Sequence, residues 1–225
     1  MPFLSPFFLL WVALSYGMLL GLSSRVYGEG GERWIPRIEA RFKNPYGFSA
    51  RFRQRTTSPA LGQEITASGE IAYSPGRILW VYTAPDPATY FLTRTEFYWV
   101  QPEERQVVRI PLERAFVSDA PVFLLRGLKD LGDLFSLRST EEEGGILRLT
   151  FLPKKPIPQV ETLILSFDPR KEWVVEILTL DPAQGSNRFE FRDFREGTPR
   201  EPIFPSFEIP PGFRLFTPPV GKEGD

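Results

Sequence analysis

Paired carboxylates are the one catalytic device that this sequence leaves open. Two acids flanking a glycosidic bond can hydrolyse it without histidine, and acids crowd at Glu141-Glu142-Glu143 and at Glu103-Glu104. Both runs adjoin turn-forming residues, so they are expected to be solvated loops rather than a cleft. The 225 residues include no histidine and no cysteine. That removes Ser-His and Cys-His catalysis, the usual zinc ligands, disulfides and a lipid-acceptor cysteine near the N-terminus. The expectation is a protein that is not an enzyme and uses no metal and no cofactor. Lys and Arg number 27 against 28 Asp and Glu, a balance that gives no general pull on nucleic acid. Arg51, Arg53 and Arg55, two apart, read as one exposed strand face, which could also meet an acidic patch on a partner.

What remains is the chemistry of apolar binding. The chain carries 20 Phe, 7 Tyr and 5 Trp, residues that suit strand faces and apolar pockets. An antiparallel strand with one wet face should alternate, yet Arg77 to Tyr82, Tyr90 to Leu92 and Phe97 to Val100 are apolar on both faces, so both need cover. Stiff rings such as Trp80, Tyr82, Tyr90 and Phe123 can frame a void that aliphatic side chains would fill. An ordinary filled core satisfies the same pattern, and periodicity does not choose between the two.

The elements that would position these rings follow from punctuation and period. With 23 prolines, short strands joined by rigid turns are favoured over long helices. Phe3 to Leu22 is almost wholly apolar and is followed by small residues. It reads as a secretory signal over residues 1–28, cut after Gly28, or as an uncleaved anchor. Export would place the protein in the periplasm. Glu32 to Phe42 is expected to be a short helix with Trp34, Ile38 and Phe42 on one face and Pro36 in the first turn. Strands follow from Phe48 to Pro111, with turns such as Ser74-Pro75-Gly76. A second helix is expected within Pro121 to Leu131, with Phe123, Leu124, Leu128 and Leu131 on one face. Strands then resume, the clearest being Arg188 to Phe194, apolar inward and charged outward. The proline-rich end suits an edge strand and a tail. The predicted fold is mainly β (α+β), a single domain over residues 29–217 with a polar tail at 218–225. It is a strongly curved sheet or incomplete antiparallel β-barrel with helices against it.

Several segments, in order over about residues 33–215, resemble the periplasmic outer-membrane lipoprotein carrier family, LolA. They are Phe48-Ser49-Ala50-Arg51-Phe52-Arg53-Gln54, Gly69 to Pro75, Trp80 to Pro85, Phe97 to Pro102 with Gln106-Val107, Leu165 to Asp168, Leu180 to Gly185, and Phe207 to Phe213. Two positions depart from the pattern. Ser74 stands where the family often has a basic residue that ties the sheet to a helical lid, with Arg77 the candidate substitute. Thr93-Arg94 replaces the family's Asp-Gly hairpin turn.

The resemblance implies a half-barrel, most simply a monomer, that binds lipoprotein acyl chains. It would receive them from an inner-membrane ABC lipoprotein-release complex and pass them to an outer-membrane acceptor. The lining it implies is Phe52, Ile78, Trp80, Tyr82, Tyr90 and Trp99 from the sheet, with Phe123, Leu124 and Leu128 from the lid. A carrier of another lipid, or an envelope sensor on a related half-barrel, would use the same architecture. A carboxylate hydrolase is the remaining alternative.

Overall fold

The computed structural model describes residues 25–26, 30–112, 127–157, 159–201, 203 and 207–218. The signal or anchor expected over residues 1–28 therefore lies outside the described residues except for Arg25 and Val26. So do Phe123 and Leu124 of the expected second helix, and most of the polar tail. No helix among the described residues is long and apolar enough to cross a membrane.

Among the described residues, thirteen strands form one sheet: β1 (Arg25–Val26), β2 (Phe48–Ser58), β3 (Gln63–Ser74), β4 (Arg77–Ala84), β5 (Ala88–Leu92), β6 (Glu96–Gln101), β7 (Gln106–Pro111), β8 (Phe135–Glu143), β9 (Ile146–Pro153), β10 (Thr162–Asp168), β11 (Trp173–Leu180), β12 (Ser186–Glu196) and β13 (Arg214–Phe216). Their order across the sheet is β1-β8-β9-β10-β11-β12-β2-β3-β4-β5-β6-β7-β13. The sheet is curved and does not close. Neighbours are antiparallel except β13, which returns from the C-terminal tail to lie parallel to β7. Helix α1 (Ile35–Lys43) follows a 3-10 turn at Glu32–Trp34, and a second 3-10 turn at Leu128–Asp130 leads into the short α2 (Leu131–Leu134). The predicted mainly β, incomplete barrel with a helical cover is the fold that forms.

Local chemistry explains the hairpins. Between β3 and β4, Pro75 and Gly76 make the turn, and Gly76 adopts φ 83°, which a side chain would resist. Between β5 and β6 the turn manages without positive φ. The Thr93 hydroxyl accepts from the Glu96 amide at 2.9 Å, while the Thr93 amide donates to the Glu96 carbonyl at 2.9 Å. A side-chain oxygen thus does the work that an Asp-Gly pair would do through backbone freedom.

Strand pleating then sorts side chains between two faces. On one face lie Phe48, Ala50 and Phe52 of β2, Ile71 and Tyr73 of β3, Ile78 and Trp80 of β4, and Phe189 and Phe191 of β12, all buried. Helix α1 packs on this face through Ile38 and Phe42, and the Tyr73 hydroxyl donates to the Phe42 carbonyl at 3.0 Å. Arg51, Arg53 and Arg55 project from the other face and are exposed, with Arg51 against Glu70 and Asp193, and Arg55 against Glu64.

Two details differ from the sequence expectations, and a third supplies the cover they called for. Glu141 to Glu143 lie within β8 rather than in a loop, because Gly144 and Gly145 take the turn with φ 60° and 80°. The alternation in β12 breaks at Asp193 (φ 54°), where one extra residue enters the strand. That bulge turns Phe194 back to stack on Trp173, with ring centroids 4.1 Å apart. The second apolar face of β4 to β6 is covered by the C-terminal tail. Phe207 stacks on Phe91 at 4.4 Å and lies 5.6 Å from Tyr98.

The turn from β10 to β11 depends on a buried carboxylate. Asp168 is 3% exposed and accepts from the amides of Arg170 (3.0 Å) and Lys171 (3.3 Å). Burial pushes its carboxyl up, but those two N–H groups and the cations of Arg170 and Lys171 outweigh it and hold the group below the usual carboxylate range. A depressed folded-state value gives stability above the unfolded value near about 3.9, lost as pH falls through the folded value. Asp168→Asn is therefore expected to lower the urea midpoint at pH 7, with the gap to the parent narrowing by pH 3. A gap of constant size at both pH values would contradict this account.

Candidate functional site

The candidate site is a ladder of rings on the helix-bearing face of β2 to β6. Cross-strand register builds it. Trp80 stands opposite Tyr90, and Tyr90 opposite Trp99; Ile78 stands opposite Leu92, and Leu92 opposite Phe97. Phe52 meets Trp80 at 4.6 Å and Tyr82 at 5.2 Å, Tyr82 meets Tyr90 at 6.0 Å, and Tyr90 meets Phe97 at 5.7 Å and Trp99 at 6.3 Å. Small residues occupy the same face between the rings: Gly69 opposite Phe52 and Tyr82, Ala67 opposite Gln54, and Ala88 opposite Tyr82. Gly69 is required there, since a Cβ would strike the Phe52 ring and the Val81 carbonyl.

Exposure rises along the ladder. Trp80 is 1% exposed and Phe52 3%, Tyr82 and Tyr90 are half-buried, and Trp99 is 38% exposed. The sequence-predicted lining residues thus divide into two groups. Phe52, Ile78 and Trp80 form a packed floor, and Leu128 is sealed beneath the helices at 0%. Tyr82, Tyr90 and Trp99 offer accessible ring surface. Phe123 and Leu124 lie outside the described residues. Arg77 is exposed at the start of β4, opposite Ser74 across the hairpin, and Ser74 itself is buried with no partner for its hydroxyl among the described residues.

What visibly clasps α1 to the sheet is a different arginine. Arg41 donates to the Glu172 carboxylate (2.6 Å), to the Glu172 carbonyl (3.0 Å) and to both oxygens of Glu196 (3.1 and 3.2 Å). Its guanidinium also lies 5.7 Å from the Trp173 ring centroid. Glu39 then ties α1 to α2 by accepting from the Gly132 amide at 3.0 Å.

From β10 through β7 the register puts one charged residue on the helix-bearing face, Glu196 opposite Phe48 at the α1 end, where Arg41 binds it; the strands β2 to β6 put none there. Its other polar members are neutral: Gln54, Thr56, Ser58, Gln63, Thr179, Asn187, Gln101 and Gln106, besides the tyrosines. A separate hollow of about 650 Å³ opens on the opposite face, with Ala72, Leu79, Val81 and Ile203 beside Arg51, Glu70, Asp193 and Glu201.

Sequence reasoning missed Phe97, Leu92 and Phe189 in this assembly. Phe97 was legible, two residues before Trp99 on the same strand face. Phe189, 5.4 Å from Trp80, had no local signal, because β12 reaches β2 only through sheet topology.

An open half-barrel with a ring-lined face beneath helices is a fold of the lipoprotein-carrier type. Residues 44–205 match the family described as outer membrane lipoprotein carrier protein LolA, and the chain belongs to that family. Among solved structures, an uncharacterised conserved protein from Thermus thermophilus superposes with a TM-score of 0.52 at 9% identity, over 83% of this chain and 98% of that one. A LolA superfamily protein from Nitrosomonas europaea gives 0.44 at 10% identity, over 74% and 93%. The Pseudomonas aeruginosa MucA/MucB complex gives 0.41 at 14% identity, over 74% and 56%. At these identities the likeness is one of fold. No curated protein matches the sequence.

The Arg41 clasp makes a specific demand on stability. Hydrogen bonds to charged groups contribute roughly 1.5–3 kcal/mol, discounted here because Arg41 is partly exposed. Arg41→Ala is expected to cost about 1–2 kcal/mol in denaturant titration and to speed amide exchange in α1 ahead of β9 and β10. Uniform acceleration throughout the sheet would show that Arg41 is not a local clasp.

Proposed function

We propose that this chain is a periplasmic carrier that shelters the acyl chains of lipoproteins on its ring-lined face while they pass from inner to outer membrane. The observation that carries the reading is the graded ladder, sealed at Trp80 and accessible at Trp99, on a stretch of the face to which strands β2 to β6 contribute no charge. Family membership supports it. In this reading the chain works as an exported monomer without a cofactor and carries out no covalent chemistry.

The physical need is plain. Each acyl CH₂ left in water costs about 0.8 kcal/mol, so a protein bearing several long chains does not cross an aqueous gap unaided. Tyr82, Tyr90 and Trp99 meet the chains, Phe52, Ile78 and Trp80 form the wall behind those rings, and Phe123, Leu124 and Leu128 complete the cover. Arg77, at the β3–β4 hairpin, helps to hold that cover. Binding has to remain moderate, since a pocket that holds its cargo too tightly cannot release it. Loading comes from an inner-membrane ABC release complex and unloading goes to an outer-membrane acceptor. A carrier of free lipid would use the same face and is separated from this reading by the cargo it retains.

Leu128 is too deeply buried for a charge there to report on binding alone, so the informative positions are the accessible rings. Tyr90→Glu and Trp99→Glu are expected to reduce capture of a triacylated lipoprotein from detergent micelles by about tenfold or more, since a carboxylate would be desolvated against the chains. Arg53→Glu, on the opposite face, should leave capture intact. Undiminished capture by both ring variants, with circular dichroism unchanged, would defeat the assignment.

A further inference from the structure

The chain enters the fold as a hook around one edge strand. Arg25 and Val26 form β1, antiparallel to the end of β8, with Arg25 opposite Glu142 and Val26 opposite Glu141. Past Tyr27-Gly28-Glu29, Gly31 is buried against side chains of the same strand. A Cβ on Gly31 would strike Thr140 Oγ1 and Leu137 Cδ2, so only glycine lets the backbone pass so close. Thr140 itself is buried at 1% exposure. The Gly31 carbonyl then accepts from the Trp34 amide at 3.0 Å, and the Trp34 ring packs 5.7 Å from Phe167. Residues on both sides of Gly28 are thus engaged with the sheet.

Among the described residues β1 is the outermost strand at this end of the sheet, and β8 has β9 on its other side. Removing β1 would leave the backbone of Glu141 and Glu142 on a bare edge, the part of a sheet that recruits strands from other chains. A leader cut after Gly28 would do this, discarding β1 and keeping Gly31. A cut that spares the hook falls upstream of Arg25. The sequence offers a fitting place where the apolar run ends. Gly21-Leu22-Ser23 puts small residues at the third and first positions before the bond, the spacing of a secretory cleavage site. Val26-Tyr27-Gly28 puts the bulkier valine at the third position.

We infer that the leader is removed between Ser23 and Ser24, so that the mature chain keeps Arg25 and Val26 as the strand that closes the β8 edge. In this hydrolysis, catalysed by a signal peptidase, water adds across the Ser23–Ser24 peptide bond and leaves a carboxylate on Ser23 and an amino group on Ser24. The inference takes from the carrier reading only that the chain is exported. It also gives β1 a task. An exported carrier has to stay single among other envelope proteins, and a paired edge denies them a template for strand addition.

The test expresses the full chain with its own leader in a bacterial host, separates cytoplasm from envelope, and reads the first residue by intact mass and N-terminal sequencing. The mature protein is expected to begin at Ser24. Any other first residue, Glu29 or an intact Met1 included, would overturn the cut and leave the acyl-carrier reading standing; confinement to the cytoplasm would overturn export with it. Chains beginning at Ser24 and at Glu29, released from a cleavable fusion, then test the role of β1 by hydrogen exchange. Residues 139–143 are expected to exchange about fivefold or more faster in the shorter chain, the effect of losing edge hydrogen bonds, while β10 keeps its rate. Equal exchange of 139–143 in the two chains would show that β1 does not close the edge and would overturn the inference.

Discussion

Strand pleating sends alternate side chains to opposite faces, and in this sheet the alternation stays in register across many neighbouring strands. Along β2, and along β12 up to its bulge, one face consequently receives Phe and neutral amides while the other receives arginines and glutamates; on β4 to β6 both faces are apolar. A single-residue slip in β2 or β12 would put arginines and glutamates among the rings and rings into water. The devices that keep register are local: the Pro75-Gly76 turn, the Thr93 hydroxyl and the bulge at Asp193. The helices can then be a light cover, because the sheet alone determines where apolar surface collects. Helix α1 is seated at one end through Ile38, Phe42, the Tyr73 hydroxyl and the Arg41 clasp.

The open sheet also accounts for the gradient in ring exposure. Near α1, the interior is filled by Phe48, Tyr73, Trp173 and the helix side chains. Toward β6 no described helix covers the face, and Trp99 stands 38% exposed. Ring surface left open to solvent at the edge of a packed core is where an apolar ligand can add contact. Here it is continuous with the buried floor through ring contacts at each step, so a bound chain would exchange water contact for ring contact without disturbing the core.

Much of this was legible in the sequence. The strands from Phe48 to Phe194 follow from period-two runs bounded by Pro, Gly and Asp, and α1 follows from Trp34, Ile38 and Phe42 at fourfold spacing. The apolar second face of β4 to β6 was visible as a need for cover. Its solution was not, since Phe207 reaches Phe91 from a segment remote in sequence. The same holds for the site. Trp80, Tyr82, Tyr90 and Trp99 share a face because hairpins fix their register, which is local information. Phe189 and Asn187 join them only because β12 closes against β2, a contact that no local pattern announces. The clasp was missed for a related reason: Arg41, Glu172 and Glu196 are a single feature only after folding.

The central claim is that the ring-lined face holds acyl chains in the working protein. Native mass spectrometry of the full chain, isolated from cell envelopes without detergent, addresses it most directly. The account predicts a fraction carrying an extra mass that gas-phase dissociation releases as an acylated protein. A population made up only of the bare chain, or of the chain with non-acylated adducts, would contradict it.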